Sequence, residues 1–168
     1  MVGKLPGDYI AGFVDGEGHF GLNFRRDIKY KRKGRPVYHR WIPVFAISMS
    51  SDDKKIVEDI RDTLGCGIIS VLKGGRGVYY AVNDFGDILN KVIPFFDRHK
   101  LRAKKAESFR RWKEAVFILA PVKKRHADLF KPIAYTGDEE VRLEQIKSEL
   151  RKLHGLTKEG KVKGRPRY

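Results

Sequence analysis

An α+β fold, with two β-hairpins forming a curved antiparallel four-stranded sheet and helices packed on one face, follows from three observations in this 168-residue chain. Segments alternating apolar with polar residues occur in pairs, residues 19–25 with 38–48 and residues 67–72 with 78–82, each joined through glycine or proline. Segments of helical period precede, separate and follow those pairs. The composition, 41% apolar, suffices for one core without disulfides, and the lone Cys66 suits a reducing compartment. One domain over residues 1–153 with a basic tail over 154–168 is therefore expected.

In chain order, residues 9–18 read as a helix. Tyr9, Ile10, Phe13 and Val14 fall at helical spacing, while Gly12 and Gly16 stand four apart on one face, where two backbones can approach closely. Residues 19–25 form a half-buried strand with Phe20, Leu22 and Phe24 on one face and His19, Gly21, Asn23 and Arg25 on the other. A basic turn over 26–37, broken by Gly34 and Pro36, leads to the strand 38–48, in which Pro43 argues for an edge or a bulge. Ser50 and Ser51 cap a helix whose buried face is Ile56, Val57, Ile60 and Leu64 and which stops at Gly65. The second hairpin turns through Lys73, Gly74, Gly75, Arg76 and Gly77. Residues 84–97, 101–120 and 139–153 read as helices, and the basic stretch 98–105 opens the second of them.

Charge is concentrated. The net charge is +15, yet residues 25–40, 98–113 and 151–168 together carry +20 and the remaining 118 residues carry −5. Such segregation suits a polyanion, because neutralising phosphates releases condensed counterions. No apolar run approaches the ~18 residues needed to cross a bilayer, and no basic amphipathic helix with an aromatic face points to a membrane surface. The expectation is a soluble intracellular protein, of an archaeal or bacterial cytoplasm or an organelle interior. The five histidines lack zinc-ligand spacing and read as surface or core residues.

The end of the first helix carries the chemistry. A helix C-terminus is a partial negative pole, so a segment built only for stability would place Lys or Arg there, not Asp15 and Glu17. A hard divalent cation explains both, since Mg²⁺ takes one or two carboxylates and otherwise carbonyl oxygen, water or phosphate. Gly16 and Gly18 allow the backbone to leave the helix in conformations closed to other residues. An ordinary capped core helix, with Asp15 bonded to a nearby backbone amide, is the alternative.

Residues 9–18, YIAGFVDGEG, resemble the LAGLIDADG motif of the homing endonucleases, with Phe13 to Gly18 as its diagnostic end, and the resemblance runs over roughly residues 5–153. It implies a metal-dependent DNA endonuclease using Mg²⁺ or Mn²⁺, with Glu17 as metal ligand, the Gly16 carbonyl beside it and Asp15 in a structural role. It sets residues 101–105 against the family's basic motif near the active site, making Arg102 the candidate catalytic cation and Lys104 the next. Only one motif copy is present, which implies a homodimer in which two such helices pack through Gly12 and Gly16, bringing two Glu17 side chains together over a nearly palindromic duplex target. One departure stands out: where the family often carries a glutamine after the second strand, this chain has Met49, which cannot orient water by strong hydrogen bonding. Ser50 lies beside it, and Asp53, Lys54 or ordered solvent could substitute.

By period two, and in keeping with that resemblance, the outward residues for reading double-stranded DNA are Asn23, Arg25, Tyr38, Arg40, Ser70, Leu72 and Tyr79. Lys31, Arg32, Lys33, Arg35, Lys73 and Arg76 in the two turns are backbone-contact candidates. The tail 161–168 repeats the Lys-Gly-Arg-Pro string of 33–36 and reads as a nonspecific phosphate contact. Two other functions fit the same fold: an intron RNA maturase, for which RNA would be the partner, and a non-cleaving DNA-binding regulator.

Overall fold

The structure, a computed structural model, describes residues 4–27, 38–126 and 133–155. Lys31, Arg32, Lys33, Arg35, the tail 161–168 and the side chain of Tyr38 lie outside what it describes. Helix α1 (Gly7–Glu17) leads into β1 (Gly18–Asp27) and β2 (Tyr38–Ser50), and a short 3-10 turn (Ser51–Asp53) opens α2 (Lys54–Leu64). The second hairpin is β3 (Ile68–Val71) and β4 (Gly77–Val82); then come α3 (Phe85–Asp87), a π-helical turn (Ile88–Val92), α4 (Ile93–Arg98), α5 (Lys104–Arg125) and α6 (Gly137–Leu153). The strands form one antiparallel sheet in the order β1-β2-β4-β3, so the α+β reading holds.

Local sequence explains most boundaries. The Ser50 hydroxyl accepts the Asp52 N–H, and α2 ends where Gly65 turns to φ 67°, a left-handed conformation costly for any residue with a Cβ. Gly74 and Gly75 supply φ 88° and 72° in the β3–β4 turn. The order makes β2 an interior strand, so Pro43 does not mark a sheet edge; pairing of β2 with β4 runs only from Phe45 opposite Val82 to Ser50 opposite Gly77, so its missing N–H costs no bond to β4. A capping box between Thr136 and Glu139 starts α6 two residues before the expected Glu139.

Three expectations need correction. Neither Gly16 nor Gly18 has a positive φ; Gly18 is extended (φ −73°, ψ 157°). Its glycine is required by space instead, since a Cβ there would lie 2.4 Å from Val14 Cγ1 and 2.8 Å from Val14 O. The 84–97 helix is interrupted by the π turn just before Pro94, whose ring cannot sit against the carbonyl four residues back. Residues 98–103 are not the start of α5, which begins at Lys104 and runs through Pro121 to Arg125. Pro121 withholds one N–H from Phe117 O, but Phe117 is exposed to solvent and Val122 is buried, so the helix continues.

The chain divides into two compact units, residues 1–21 with 43–110, and residues 22–42 with 111–168. In the first, Phe20, Phe45, Phe96 and Phe109 form a ring cluster with centroids 5.2 to 5.8 Å apart, closed by Tyr80, Ile47, Ile60 and Ile88. Each well-oriented aromatic pair contributes ~1 kcal/mol beyond its area burial. Phe45, Ile47, Tyr80 and Val82 turn into this core, while Ser48 and Ser70 on the opposite sheet face are exposed. In the second unit, α5 and α6 pack through Trp112, Leu119, Leu143, Ile146 and Leu150, and Arg142 grips Glu114 in a bidentate pair at 2.7 and 2.9 Å. No helix among the described residues is long and apolar enough to cross a membrane.

Candidate active site

The site is built around the end of α1 in the first unit. Ile10, Ala11 and Val14 face the core. Gly12 and Gly16 are exposed, and a Cβ at either would meet nothing within 4 Å. Tyr9 is also exposed and Phe13 half-buried, so this side of the helix is bare. The Gly18 N–H caps Val14 O, and the last turn holds no basic residue.

The two motif carboxylates behave differently. Asp15 is half-buried and accepts the Arg102 N–H (Oδ2 2.9 Å, Oδ1 3.2 Å) and the Ala103 N–H (Oδ1 3.2 Å). Glu17 is exposed and has no hydrogen bond or ion pair among the described residues. The structural role expected of Asp15 is thus visible as a tie 87 positions long.

A second tie holds the same basic segment at the other end of α1. His99 Nδ1 lies 3.0 Å from Asp8 Oδ1, and its ring covers Gly7 so closely that a Cβ there would come within 2.3 Å. Leu101 is buried between the two ties. The segment therefore follows α1, with Arg102 and Lys104 exposed and neither side-chain cation ion-paired among the described residues.

His19, two residues beyond Glu17, reads from the sequence only as a surface or core residue on the outward strand face. It is half-buried, its ring lies over Gly21, and burial, then the positive charge of Lys105, lowers its pKa from 6.5. Its parity with Asn23 and Arg25 was the available signal. Met49 is half-buried opposite Val78, Lys54 is paired with Glu58 at 3.2 Å, and Asp53 is exposed.

No group of three His, Cys, Asp or Glu side chains among the described residues could enclose a metal. The donors at the end of α1 nevertheless suit a hard cation bound openly: one unengaged carboxylate, helix-end carbonyl oxygen, and room for water and phosphate. Tighter thiolate or imidazole metals find no matching set there.

The outward residues fall in both units. In the first, Ser48, Tyr79 and Ser70 form one cross-strand row; Ser48 was missed in the sequence and has the period-two position that marks it. Leu72 is exposed, and a Cβ at Gly77 would come within 3.0 Å of its Cδ1; Lys73 and Arg76 are exposed in the turn. In the second unit Asn23, Arg25 and Arg40 are exposed.

The sequence profile of the LAGLIDADG endonucleases matches residues 10–116, from α1 into α5. This chain belongs to that family. Among curated relatives of this LAGLIDADG chain, "Probable intron-encoded endonuclease 2" of Neurospora crassa is 28% identical over 117 residues, 68% of this chain and 23% of the relative. "Probable intron-encoded DNA endonuclease 1" of Mycosarcoma maydis is 29% identical over 103 residues, 61% of this chain and 34% of the relative. Among solved structures, the homing endonuclease I-SmaMI bound to cleaved DNA superposes with TM-score 0.70 at 28% identity, covering 88% of this chain and 44% of that one. I-GzeII in complex with its DNA target gives TM-score 0.67 at 26% identity, covering 85% and 43%. The LAGLIDADG chain described here thus spans less than half the length of these relatives and solved neighbours.

Proposed function

We propose that this chain is a site-specific homing endonuclease that makes a double-strand break in a long pseudo-palindromic DNA duplex by divalent-metal-dependent phosphodiester hydrolysis. The single observation that carries the reading is the division of labour between the two motif carboxylates: Asp15 is engaged by backbone amides and Glu17 is left bare at the negative end of a helix. The relatives' descriptions as intron-encoded endonucleases, and the DNA in the solved neighbours, support it.

Glu17, with the Gly16 carbonyl, would hold Mg²⁺ or Mn²⁺, which when bound polarises water and offsets charge on phosphate oxygens. Asp15 fixes the main chain at Arg102 and Ala103, so that Arg102, with Lys104 next, can offset charge on the scissile phosphate. Asn23, Arg25, Arg40, Ser70, Leu72 and Tyr79 would read base edges, while Lys73 and Arg76 meet phosphates. Two copies would pack through Gly12 and Gly16 of α1; solved neighbours about twice the length of this chain support two such halves per duplex.

Selection from randomised duplexes with Mg²⁺ or Mn²⁺, followed by sequencing of the ends, tests the reading. A unique, nearly palindromic cut site is the expected result. A preference for structured RNA, or selection of duplex without cutting, would replace it with the maturase or the regulator.

A further inference from the structure

The base-reading candidates of the first hairpin share a compact unit with the C-terminal helices, and the contacts inside that unit converge on its two strands. The Trp41 main-chain N–H donates to Tyr135 Oη at 3.1 Å, across 94 positions. The Trp41 ring is buried and lies 4.8 Å from Phe24, and Phe24 in turn stacks on His39 at 5.2 Å and 20°. Lys147 of α6 caps both inner rings, with Nζ 5.2 Å from the Trp41 centroid and 5.6 Å from that of Phe24.

We propose that Tyr135 and Lys147 are positioning residues for DNA sequence recognition, anchoring β1 and β2 so that Asn23, Arg25 and Arg40 are presented in fixed places. The proposal rests on the endonuclease reading above. Its geometry comes from the strand period. Phe24 lies between Asn23 and Arg25, and Trp41 follows Arg40, so fixing the two rings on one face of the strands fixes the three polar side chains on the other. One ammonium over two rings ties one strand to the other. The Trp41 indole N–H is buried without a hydrogen-bond partner among the described residues, so the ring owes its position to packing and to what caps it. Both anchors lie outside the stretch 10–116 that the family profile matches.

The test compares wild type, Lys147→Met, Lys147→Arg and the Tyr135→Phe/Lys147→Met double variant. Lys147→Met keeps the aliphatic stem and removes only the cation. The readouts are binding to single-base variants of the selected duplex, single-turnover cleavage at saturating DNA, thermal midpoint, and amide exchange of β1 and β2 in the free protein. In the double variant, discrimination should fall about tenfold at the base pairs met by the first hairpin and change by less than about twofold elsewhere. Cleavage at saturation and the thermal midpoint should be retained, and exchange at the Phe24 and Trp41 amides should quicken. Lys147→Arg should restore discrimination relative to Lys147→Met. Unchanged discrimination overturns the proposal, as does a uniform loss at every base pair accompanied by a lower midpoint. A wild-type chain that selects and cuts no duplex overturns the endonuclease reading instead, and amide exchange alone then decides whether these side chains hold the hairpin.

Discussion

The Asp15 carboxylate holds the main chain of Arg102, with Oδ2 accepting its N–H at 2.9 Å, and Oδ1 takes the neighbouring Ala103 N–H at 3.2 Å. Two successive amides converging on one carboxylate form a charge-assisted clasp, which sets the exposed Arg102 against the end of the helix that carries Glu17. The motif's two acids thus differ: Asp15 holds the main chain of residues 102 and 103, and Glu17 stands exposed and unengaged among the described residues.

Breaking that clasp should cost stability and chemistry together. Asp15→Ala leaves two amides without their acceptor, and a loss of ~1–3 kcal/mol is expected. Urea unfolding measures the first effect and single-turnover cleavage the second, which should fall at least ~10-fold as Arg102 loses its placement. Unchanged cleavage would remove Arg102 from the reaction.

Glu17→Gln should have the opposite sign for stability. Removing a negative charge from a helix C-terminus relieves a repulsion worth ~0.5 kcal/mol at low salt, so the unfolding midpoint should hold or rise. Cleavage should drop by at least ~100-fold, with sequence-specific binding retained. A mutant that still cuts would show that the metal is held elsewhere.

The glycines of α1 should separate sharply. Gly18→Ala drives a Cβ into Val14 and should destabilise by ~1–3 kcal/mol. Gly12→Ala and Gly16→Ala meet open space in the single chain and should raise its stability by up to ~1 kcal/mol through helix propensity. If two α1 helices pack there, the same two substitutions should weaken self-association, as sedimentation would show. Destabilisation by Gly12→Ala at concentrations where the chain is monomeric would contradict the open face.

His19 makes stability depend on pH. Burial, and then Lys105, lowers its folded pKa below the unfolded value of 6.5, so the unfolded chain binds the proton more readily. Its contribution is complete above pH 6.5 and is lost as pH falls below that value towards the lowered folded pKa. Urea midpoints measured from pH 8 down to pH 5 should decline in the wild type, and the decline should be smaller in His19→Gln. Equal declines in both proteins would assign the dependence to other groups.

Much of the frame was legible because period and turn chemistry are local. The alternation at 19–25 and 38–48, the glycines at 65, 74 and 75, and the Val57, Ile60 and Leu64 stripe of α2 each act over a few residues and appear where expected, Ile56 being only half-buried. The readings that failed depended on a partner far along the chain in one case and on the path the chain takes out of a helix in the other. Residues 98–103 have a composition that suits a helix, yet the amides of Arg102 and Ala103 are held by Asp15 and Leu101 is drawn into the core, so the helix begins only at Lys104. Gly18 suggested a special backbone angle, and the crowding by the Val14 side chain that explains it depends on the path the chain takes out of α1.

The sequence by itself determined the hairpin-based sheet, the segregation of positive charge and the motif helix of a LAGLIDADG endonuclease, since each is written in residues that are neighbours or helical repeats. Only the tertiary structure decided which motif carboxylate is occupied, which glycine faces open space, and that Tyr135 and Lys147 brace the first hairpin. A hydrogen bond across 87 or 94 positions leaves no periodic trace in the chain, because its partners meet through the packing of whole elements rather than through local geometry.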